Sequence, residues 1–133
     1  MNNFSKYFYP IARAFLGALF LISGIYKIIG FGYVAGWMAS TGVPMASALL
    51  SVSIVIEIAG GLMLITGWKA KYAALVVGLF LIPVTFVFHA FWSADAASYQ
   101  NQLTQFLKNL AILGGMLLVF GREFEREAAA SKK

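Results

Sequence analysis

Residues 44–66 read PMASALLSVSIVIEIAGGLMLIT, and Glu57 is the only charged side chain in this run. About 20 apolar residues in a helix span the ~30 Å hydrocarbon layer of a bilayer, so the run is long enough to be a transmembrane helix. Glu57 is about ten residues from either end, which puts its carboxylate ~15 Å from the membrane surface. An unpaired carboxylate at that depth costs several kcal/mol or takes up a proton. The stretch therefore predicts a membrane-spanning helix with a polar site near its middle.

Three other apolar segments of similar length lie at about 7–29, 69–92 and 104–120. The chain has 133 residues, of which 61% are hydrophobic and 11% charged, and its mean hydropathy is +0.82. This composition excludes an ordinary soluble domain, and the remaining stretches are too short for a folded domain outside the membrane. We therefore expect 1–133 to form a single all-α domain in the lipid bilayer, an antiparallel four-transmembrane-helix bundle with a short cytoplasmic tail at 121–133.

The connections between the predicted spans indicate which helices are neighbours. Gly67 lies in a turn that is too short for anything but an antiparallel hairpin between the second and third spans. The first connection, 30–43, combines glycines with aromatic residues, and Tyr33 and Trp37 suit anchors at the membrane surface. It therefore predicts an aromatic outer loop that lies over the bundle. Pro83 predicts a kink in the third span, for which we favour helix packing over a cofactor notch.

The basic residues indicate how the chain is oriented in the membrane. With four spans, one side carries Lys6, Arg13, Lys69, Lys71, Arg122, Arg126, Lys132 and Lys133, and the other carries Lys27, Asp95 and Lys108. Cytoplasmic segments have the excess of Lys and Arg, so both termini are expected in the cytoplasm. The net charge of +5 fits attraction to anionic lipids. Nucleic-acid binding is not expected, because the bases form no compact cluster interleaved with aromatic residues.

Each span has a stripe of polar or small residues at helical spacing. In the first span, the stripe consists of Arg13, Gly17, Phe20, Gly24 and Lys27. These residues fall within an arc of about 80° at ~100° per residue. The stripes of the other spans consist of Ser53, Glu57, Gly60, Gly61 and Leu64; of Gly78, Ile82, Thr85 and His89; and of Lys108, Ile112, Gly115 and Val119. Glycines let helices approach closely in lipid, and charges within the membrane face the bundle interior. We therefore expect all four stripes to point inward.

The sequence leaves three interpretations of Glu57 open: an ion pair that serves structure, a functional site for a proton or ligand, and a neutral, hydrogen-bonded acid. Arg13 is the expected partner if Glu57 is ion-paired. Arg13 and Lys27 each have a simpler interpretation as well, because a long basic side chain close to a helix end can extend to the lipid headgroups.

A second group of polar residues is expected at the outer ends of the helices. It consists of Lys27, His89 and Lys108, which come from three different spans, together with Tyr26, Trp92 and Asn109. Two lysines that converge there repel each other unless an anionic or polar ligand satisfies them, because Asp95 is the only carboxylate expected nearby. The group therefore predicts a cationic, aromatic-walled pocket beneath the loop. A metal site is not expected, because the chain has one His and no Cys.

The order and spacing of these residues resemble the DoxX family of bacterial membrane proteins. The resemblance rests on Arg13-x-x-x-Gly17, Ser23-Gly24-x-x-Lys27, Gly42-Val43-Pro44, Glu57-x-x-Gly60-Gly61, Gly67, His89-x-x-Trp92, Lys108-Asn109 and Gly114-Gly115. It implies a four-helix protein of the bacterial inner membrane. The family name descends from a relative that is the membrane subunit of a thiosulfate:quinone oxidoreductase, and other relatives are linked to membrane oxidoreductases that handle thiol stress. The likeness therefore implies a non-covalent quinone and a redox partner protein.

Two functions are consistent with these observations, and whether the chain is itself catalytic stays open. In the first, it is a quinone-interacting subunit or accessory of a membrane redox system, in which Lys27, His89 and Lys108 donate hydrogen bonds to the quinone. Glu57 then passes protons. In the second, the chain is a non-enzymatic scaffold, or it binds or transports a lipid or small molecule, with Glu57 and Arg13 as a structural pair. Transport is the weaker alternative, because four short helices suit alternating access only as a homo-oligomer.

Overall fold

The computed structural model describes residues 3–133, and this part of the chain is helical with no β-strand. Its elements in chain order are α1 (Ser5–Ile29), α2 (Phe31–Ser40), α3 (Ala46–Thr66), α4 (Ala70–Phe88), a 3-10 turn (Phe91–Ser93) and α5 (Tyr99–Ala130). Four segments are long and apolar enough to cross a membrane: α1, α3, α4 with the turn after it, and α5. The predicted all-α fold with four candidate spans is confirmed.

The connection predicted as a loop at 30–43 is mostly the short helix α2. Its apolar face consists of Phe31, Val34, Ala35 and Met38, which pack with Leu50 at the start of α3. These four positions recur at helical spacing, so one side of α2 covers apolar surface of α3. The spacing was missed because Gly32 and Gly36, which line an open groove beside the start of α3, suggested a broken loop. Nothing lies within 4 Å of a Cβ built on either glycine.

The last helix is longer than the predicted span 104–120 at both ends. It continues to Ala130, so most of the predicted tail at 121–133 is helix. The tail is rich in Arg, Glu and Ala, which favour helix. Its ion pairs include Arg126 with Glu123 and Lys71 with Glu127. The extension was missed because hydropathy detects only the part of a helix that lies in lipid.

Helices α1 and α3 run antiparallel and their backbones meet. Gly17 lies against Gly61, and a Cβ added at Gly17 would be 2.6 Å from the Gly61 carbonyl oxygen. Further along, Gly24 lies against Glu57 and Ile58. Small residues allow this approach, as they do between other helices in lipid. The two contacts determine which residues of α1 and α3 share a level in the membrane.

The inward direction of the stripes is confirmed for α1 and α3 and only in part for the other two helices. The buried residues of α1 are Arg13, Gly17, Phe20 and Gly24, and those of α3 are Leu50, Glu57, Gly60, Gly61 and Leu64. Ile82 of α4 was expected inside, but it is 42% exposed. The buried side of α4 runs through Val77, Leu81 and Thr85 instead. Lys108 of α5 is also exposed.

The apolar core occupies the end of the bundle near the Gly67 turn, around Leu64, Val77 and Met116. α5 packs mainly against α4 and meets α1 toward this same end, where Leu16 contacts Gly115. The opposite ends of α1 and α5 make no comparable contact. A space therefore remains between the core and α2, at the level where the polar residues lie.

Candidate functional site

Lys27 and Glu57 form an ion pair inside the bundle. The Lys27 ammonium is 2.7 Å from each carboxylate oxygen of Glu57. Ser23 donates a hydrogen bond of 3.1 Å to one of these oxygens. The side chain of Glu57 is only 4% exposed, and that of Lys27 is 28% exposed. The cation and the hydroxyl together satisfy a carboxylate that would otherwise be costly to bury.

The predicted pairing of Glu57 with Arg13 is wrong. Gly24 is the residue of α1 that lies against Glu57. Arg13 is eleven residues before Gly24, or about 16 Å along the helix axis. Lys27 is less than one turn beyond Gly24, so its side chain reaches the carboxylate. Lys27 therefore extends to Glu57 and not to the lipid headgroups.

Arg13 connects three helices at the opposite end of the bundle. Its Nε donates a hydrogen bond of 2.7 Å to the Leu64 carbonyl, and its Nη1 is 3.4 Å from the Glu123 carboxylate. Tyr9 donates a hydrogen bond of 2.6 Å to the same carboxylate. Glu123 was missed because it lies in the predicted tail. Its helical spacing after the buried Val119 is the signal that could have revealed it.

A cavity of about 380 Å³, the polar cavity, lies between α1, α4 and α5 with Glu57 of α3 in its wall. Its polar lining consists of Ser23, Lys27, Glu57, His89, Gln105, Lys108 and Asn109, and its apolar lining of Leu19, Phe20, Phe80, Leu81, Val84 and Ile112. The structure thus places Glu57 in one site with four residues of the predicted outer group. Leu19 and Lys108 are exposed, so the cavity opens sideways between α1 and α5.

Neighbouring residues orient two of the polar groups in this cavity. His89 Nδ1 is 3.0 Å from Gln102 Oε1, and Asn109 Nδ2 donates a hydrogen bond of 3.1 Å to Thr85 Oγ1. Gln102 and Gln105 were not identified from the sequence. Their helical spacing with Asn109 is the signal that could have revealed them.

Lys108 makes no hydrogen bond or ion pair within residues 3–133. The expectation that no carboxylate except Asp95 lies near the lysines is wrong, because Glu57 neutralises Lys27. The polar cavity therefore has one uncompensated cation, Lys108, at its rim. This charge is available to an anionic or polar ligand.

Asp95 has a different role, at the start of α5. Its carboxylate accepts hydrogen bonds from the Ser98 backbone N–H at 2.9 Å and from the Ser98 hydroxyl at 2.6 Å. These bonds stabilise the ionised form, so they hold the pKa of the Asp95 carboxyl below its ordinary value. Asp95 thus stabilises the turn that leads into α5.

Trp92 does not line the polar cavity, contrary to the predicted aromatic wall. The α-helix ends before His89, and the 3-10 turn directs Trp92 outward, where it is 56% exposed. Its ring centroid is 5.9 Å from those of Phe86 and Phe106. Trp37 of α2 provides an aromatic cover instead, with its ring stacked on Phe88 at 5.0 Å.

Comparison with known proteins gives two kinds of match. The DoxX family matches residues 9–90, so the match includes Lys27, Glu57 and His89 and ends before Lys108. The inner membrane protein YqjF of Escherichia coli (strain K12) is 34% identical over 109 residues, which cover 82% of this chain and 78% of that protein. The inner membrane protein YphA of the same organism is 26% identical over 109 residues, with the same coverage. No solved structure matches the chain significantly.

With a family match over more than half its length and four helices able to span a bilayer, the chain is an integral membrane protein that belongs to the DoxX family.

Proposed function

We propose that this protein is a quinone-interacting subunit or accessory of a redox system in the bacterial inner membrane, with both termini in the cytoplasm. The polar cavity carries this proposal, because hydrogen-bonding side chains from all four spans line one space that opens toward lipid. The names of the two Escherichia coli relatives support the inner membrane as its location. The excess of basic residues at the termini and at the Gly67 turn supports the orientation.

The lining of the polar cavity suits a quinone head. Small-molecule sites typically have volumes of about 300–1,000 Å³ and combine apolar walls with a few polar groups. Here the volume is about 380 Å³, and Phe80, Leu81 and Val84 provide apolar walls. Lys108 and Gln105 offer N–H donors to carbonyl oxygens. Because the cavity lies within the membrane domain, a lipid-dissolved molecule reaches it without crossing water.

The Lys27–Glu57 pair is suited to proton exchange beside such a molecule. When bound, a quinone supplies two-electron redox chemistry, in which its two carbonyl oxygens each gain a proton. The Lys27 ammonium donates to both carboxylate oxygens of Glu57 at 2.7 Å, so these two groups would exchange protons with a carbonyl oxygen held beside them. His89 lies in the same cavity and is oriented by Gln102, as a proton-transferring imidazole requires.

In this proposal, the electrons come from a partner protein. The chain has no Cys, so it provides no thiol or cysteine-bound iron–sulfur centre. A partner that oxidises sulfur compounds or thiols, as the family resemblance implies, supplies the two electrons and completes the reaction. The chain then contributes the quinone site and the proton-exchanging groups.

The first experiment identifies what the purified protein carries. Wild type, Lys108→Met and the control Lys132→Met are purified identically in a mild detergent, and the organic extract of each is analysed for quinones. Lys108 has no partner to lose, so its variant should unfold at the wild-type temperature. We expect stoichiometric quinone in wild type and in Lys132→Met, and about a tenfold loss in Lys108→Met, because a hydrogen bond to a charged group contributes ~1.5–3 kcal/mol. Only bulk phospholipid in all three samples would favour the non-enzymatic scaffold.

A further inference from the structure

Two more cavities adjoin the polar cavity on the side of the bundle that α2 covers. The roofed cavity, of about 190 Å³, lies beneath Val34 and Trp37 of α2 and above Leu50 of α3. The side groove, of about 230 Å³, lies between α3 and α4 near Val52 and Val87. The linings of both are mainly apolar, which distinguishes them from the polar cavity.

The three cavities adjoin one another and share wall residues. Phe80 and Val84 line all three. Lys27 and His89 line both the polar cavity and the roofed cavity. Ser53 lines both the roofed cavity and the side groove. The three cavities therefore lie in a row beneath α2, from the α1–α5 face of the bundle to its α3–α4 face, and this row is called the path.

The polarity of this path changes along its length. The titratable groups stop at Lys27 and His89, and beyond them the lining has only the Ser53 hydroxyl and the Trp37 indole N–H as polar side-chain groups. At the far end, Val52 and Val87 are each more than half exposed, at 55% and 53%. The path thus begins at an ion pair and ends at an exposed apolar surface on two helices that are able to span a membrane.

We propose that the roofed cavity and the side groove hold the isoprenoid tail of the quinone whose head lies in the polar cavity. The proposal rests on the proposed function and adds the class of quinone and the course of its tail. The roofed cavity and the side groove, of about 190 and 230 Å³, have room for part of one hydrocarbon chain and not for the two chains of a phospholipid.

The shorter exit between α1 and α5 suits the tail less well. Lys108 lies at that opening, exposed and without a partner among the described residues. A hydrocarbon chain laid across the ammonium would remove water and headgroup contacts from it. The apolar path beneath Trp37 imposes no such cost. The quinone head therefore stays within reach of Lys108, and the tail leaves the bundle on its α3–α4 face.

Photocrosslinking locates the tail directly. Wild-type protein is illuminated with an isoprenoid benzoquinone that bears a diazirine at the end of its tail, and the labelled peptides are identified by mass spectrometry. We expect labelling of Leu49, Val52 or Val87 in the side groove, prevented by excess unlabelled quinone. Competed labelling of Leu19 or Ile112 would overturn the tail path while leaving the head site in place. Absence of any competed labelling would contradict the proposed function itself.

A matched pair of serine variants tests the path by blocking it. Ser53 lines the path beyond the polar cavity, whereas Ser51, on the same helix, lines none of the three cavities and is exposed. Affinity is measured for the isoprenoid quinone and for dimethoxy-methyl-benzoquinone, which has the ring alone. Ser53→Phe should weaken binding of the tailed quinone about tenfold, or ~1.4 kcal/mol, and leave the ring-only compound unchanged. Ser51→Phe should change neither, and equal binding of the tailed quinone by both variants would overturn the proposal.

Ser53→Ala distinguishes a tail from a polar group in the same cavity. Removing the hydroxyl opens a little space and removes no contact that a hydrocarbon chain needs. Binding of the tailed quinone should therefore stay within about twofold of wild type. A loss as large as that in Ser53→Phe would place a polar group beside Ser53 and overturn the tail path.

Discussion

At the scale of single residues, Glu57 is a carboxylate that is buried in a membrane domain. Its two oxygens are both occupied by Lys27, and one also accepts a hydrogen bond from Ser23. A buried ion pair adds little net stability, but removal of one partner leaves an uncompensated charge. Substitution of one partner should therefore lower the stability of the protein strongly, and substitution of both should lower it much less.

This asymmetry predicts the behaviour of a mutant cycle. Lys27→Met should lower the free energy of unfolding by about 3 kcal/mol, because Glu57 loses its cation. The double variant Lys27→Met with Glu57→Gln should recover most of this loss, since no charge is then left unpaired. Unfolding in mixed detergent micelles measures each variant, with Lys69→Met as the surface control. Additive, mild losses would mean that the two side chains do not interact.

Asp95 predicts a pH dependence outside the membrane. Its pKa is lowered in the folded protein by the hydrogen bonds from Ser98, so the folded state favours the ionised form. Its contribution to stability is therefore complete above the unfolded pKa, about 3.9, and is lost as pH falls through the folded value. The melting temperature of wild type should exceed that of Asp95→Ala by a constant amount from neutral pH to about 5, and the gap should shrink below about 4. A difference in melting temperature that is the same at every pH would show that ionisation of Asp95 does not contribute to stability.

At the scale of elements, the contact between α1 and α3 determines the geometry of the site. Gly17 and Gly61 pack backbone to backbone, and each would have a built Cβ within 2.7 Å of the other's carbonyl oxygen. This contact fixes how far α1 is displaced along α3. Gly24 consequently lies beside Glu57, and Lys27 is left within reach of the carboxylate.

Substitutions of glycine test this contact. Gly17→Ala should lower the free energy of unfolding by about 1–3 kcal/mol, because the added methyl group can be accommodated only if a backbone moves. It should also reduce quinone retention, since Lys27 and Glu57 would no longer share a level. Gly114→Ala is the matched control, because nothing lies within 4 Å of its built Cβ. Equal stability of the two variants would show that the helices do not pack through Gly17.

At the scale of the whole molecule, four spans place both termini and the Gly67 turn on one side of the membrane. The ion pairs Arg13–Glu123 and Lys71–Glu127 join that side of α1, α4 and α5. The other side has α2 as a cover and the gap between α1 and α5. The bundle is thus closed by charge and core packing at one end and open toward lipid near the other.

The absence of natural Cys permits a direct test of this topology. Single cysteines are introduced at Ser131, Lys69 and Ala96 and labelled in intact spheroplasts with a maleimide that does not cross membranes. We expect labelling at position 96 alone, and labelling at 69 and 131 only after the membrane is opened. Labelling at 69 and 131 but not 96 would reverse the orientation. Labelling of 69 without 131 would contradict four spans.

Much of the architecture was predictable because it depends on local sequence. Hydropathy over 44–66 and the other apolar segments identified the spans, and helical spacing identified the inward face of α1. The same reasoning missed α2, because its glycines resembled a loop, and it ended the last helix too early, because hydropathy ignores a helix in water. The quinone, the partner and the roles of the site residues stay predictions at this point.

By itself, the sequence determined that the protein lies in the membrane, crosses it four times and belongs to a known family. These properties depend on length, apolar content and the spacing of residues along one chain. Only the tertiary structure decided that Lys27 and not Arg13 neutralises Glu57, that Trp92 leaves the site, and that Glu123 is part of the bundle. Each of these outcomes depends on the displacement of one helix along another. That displacement comes from contacts such as Gly17–Gly61, between residues far apart in the chain, and no local pattern encodes it.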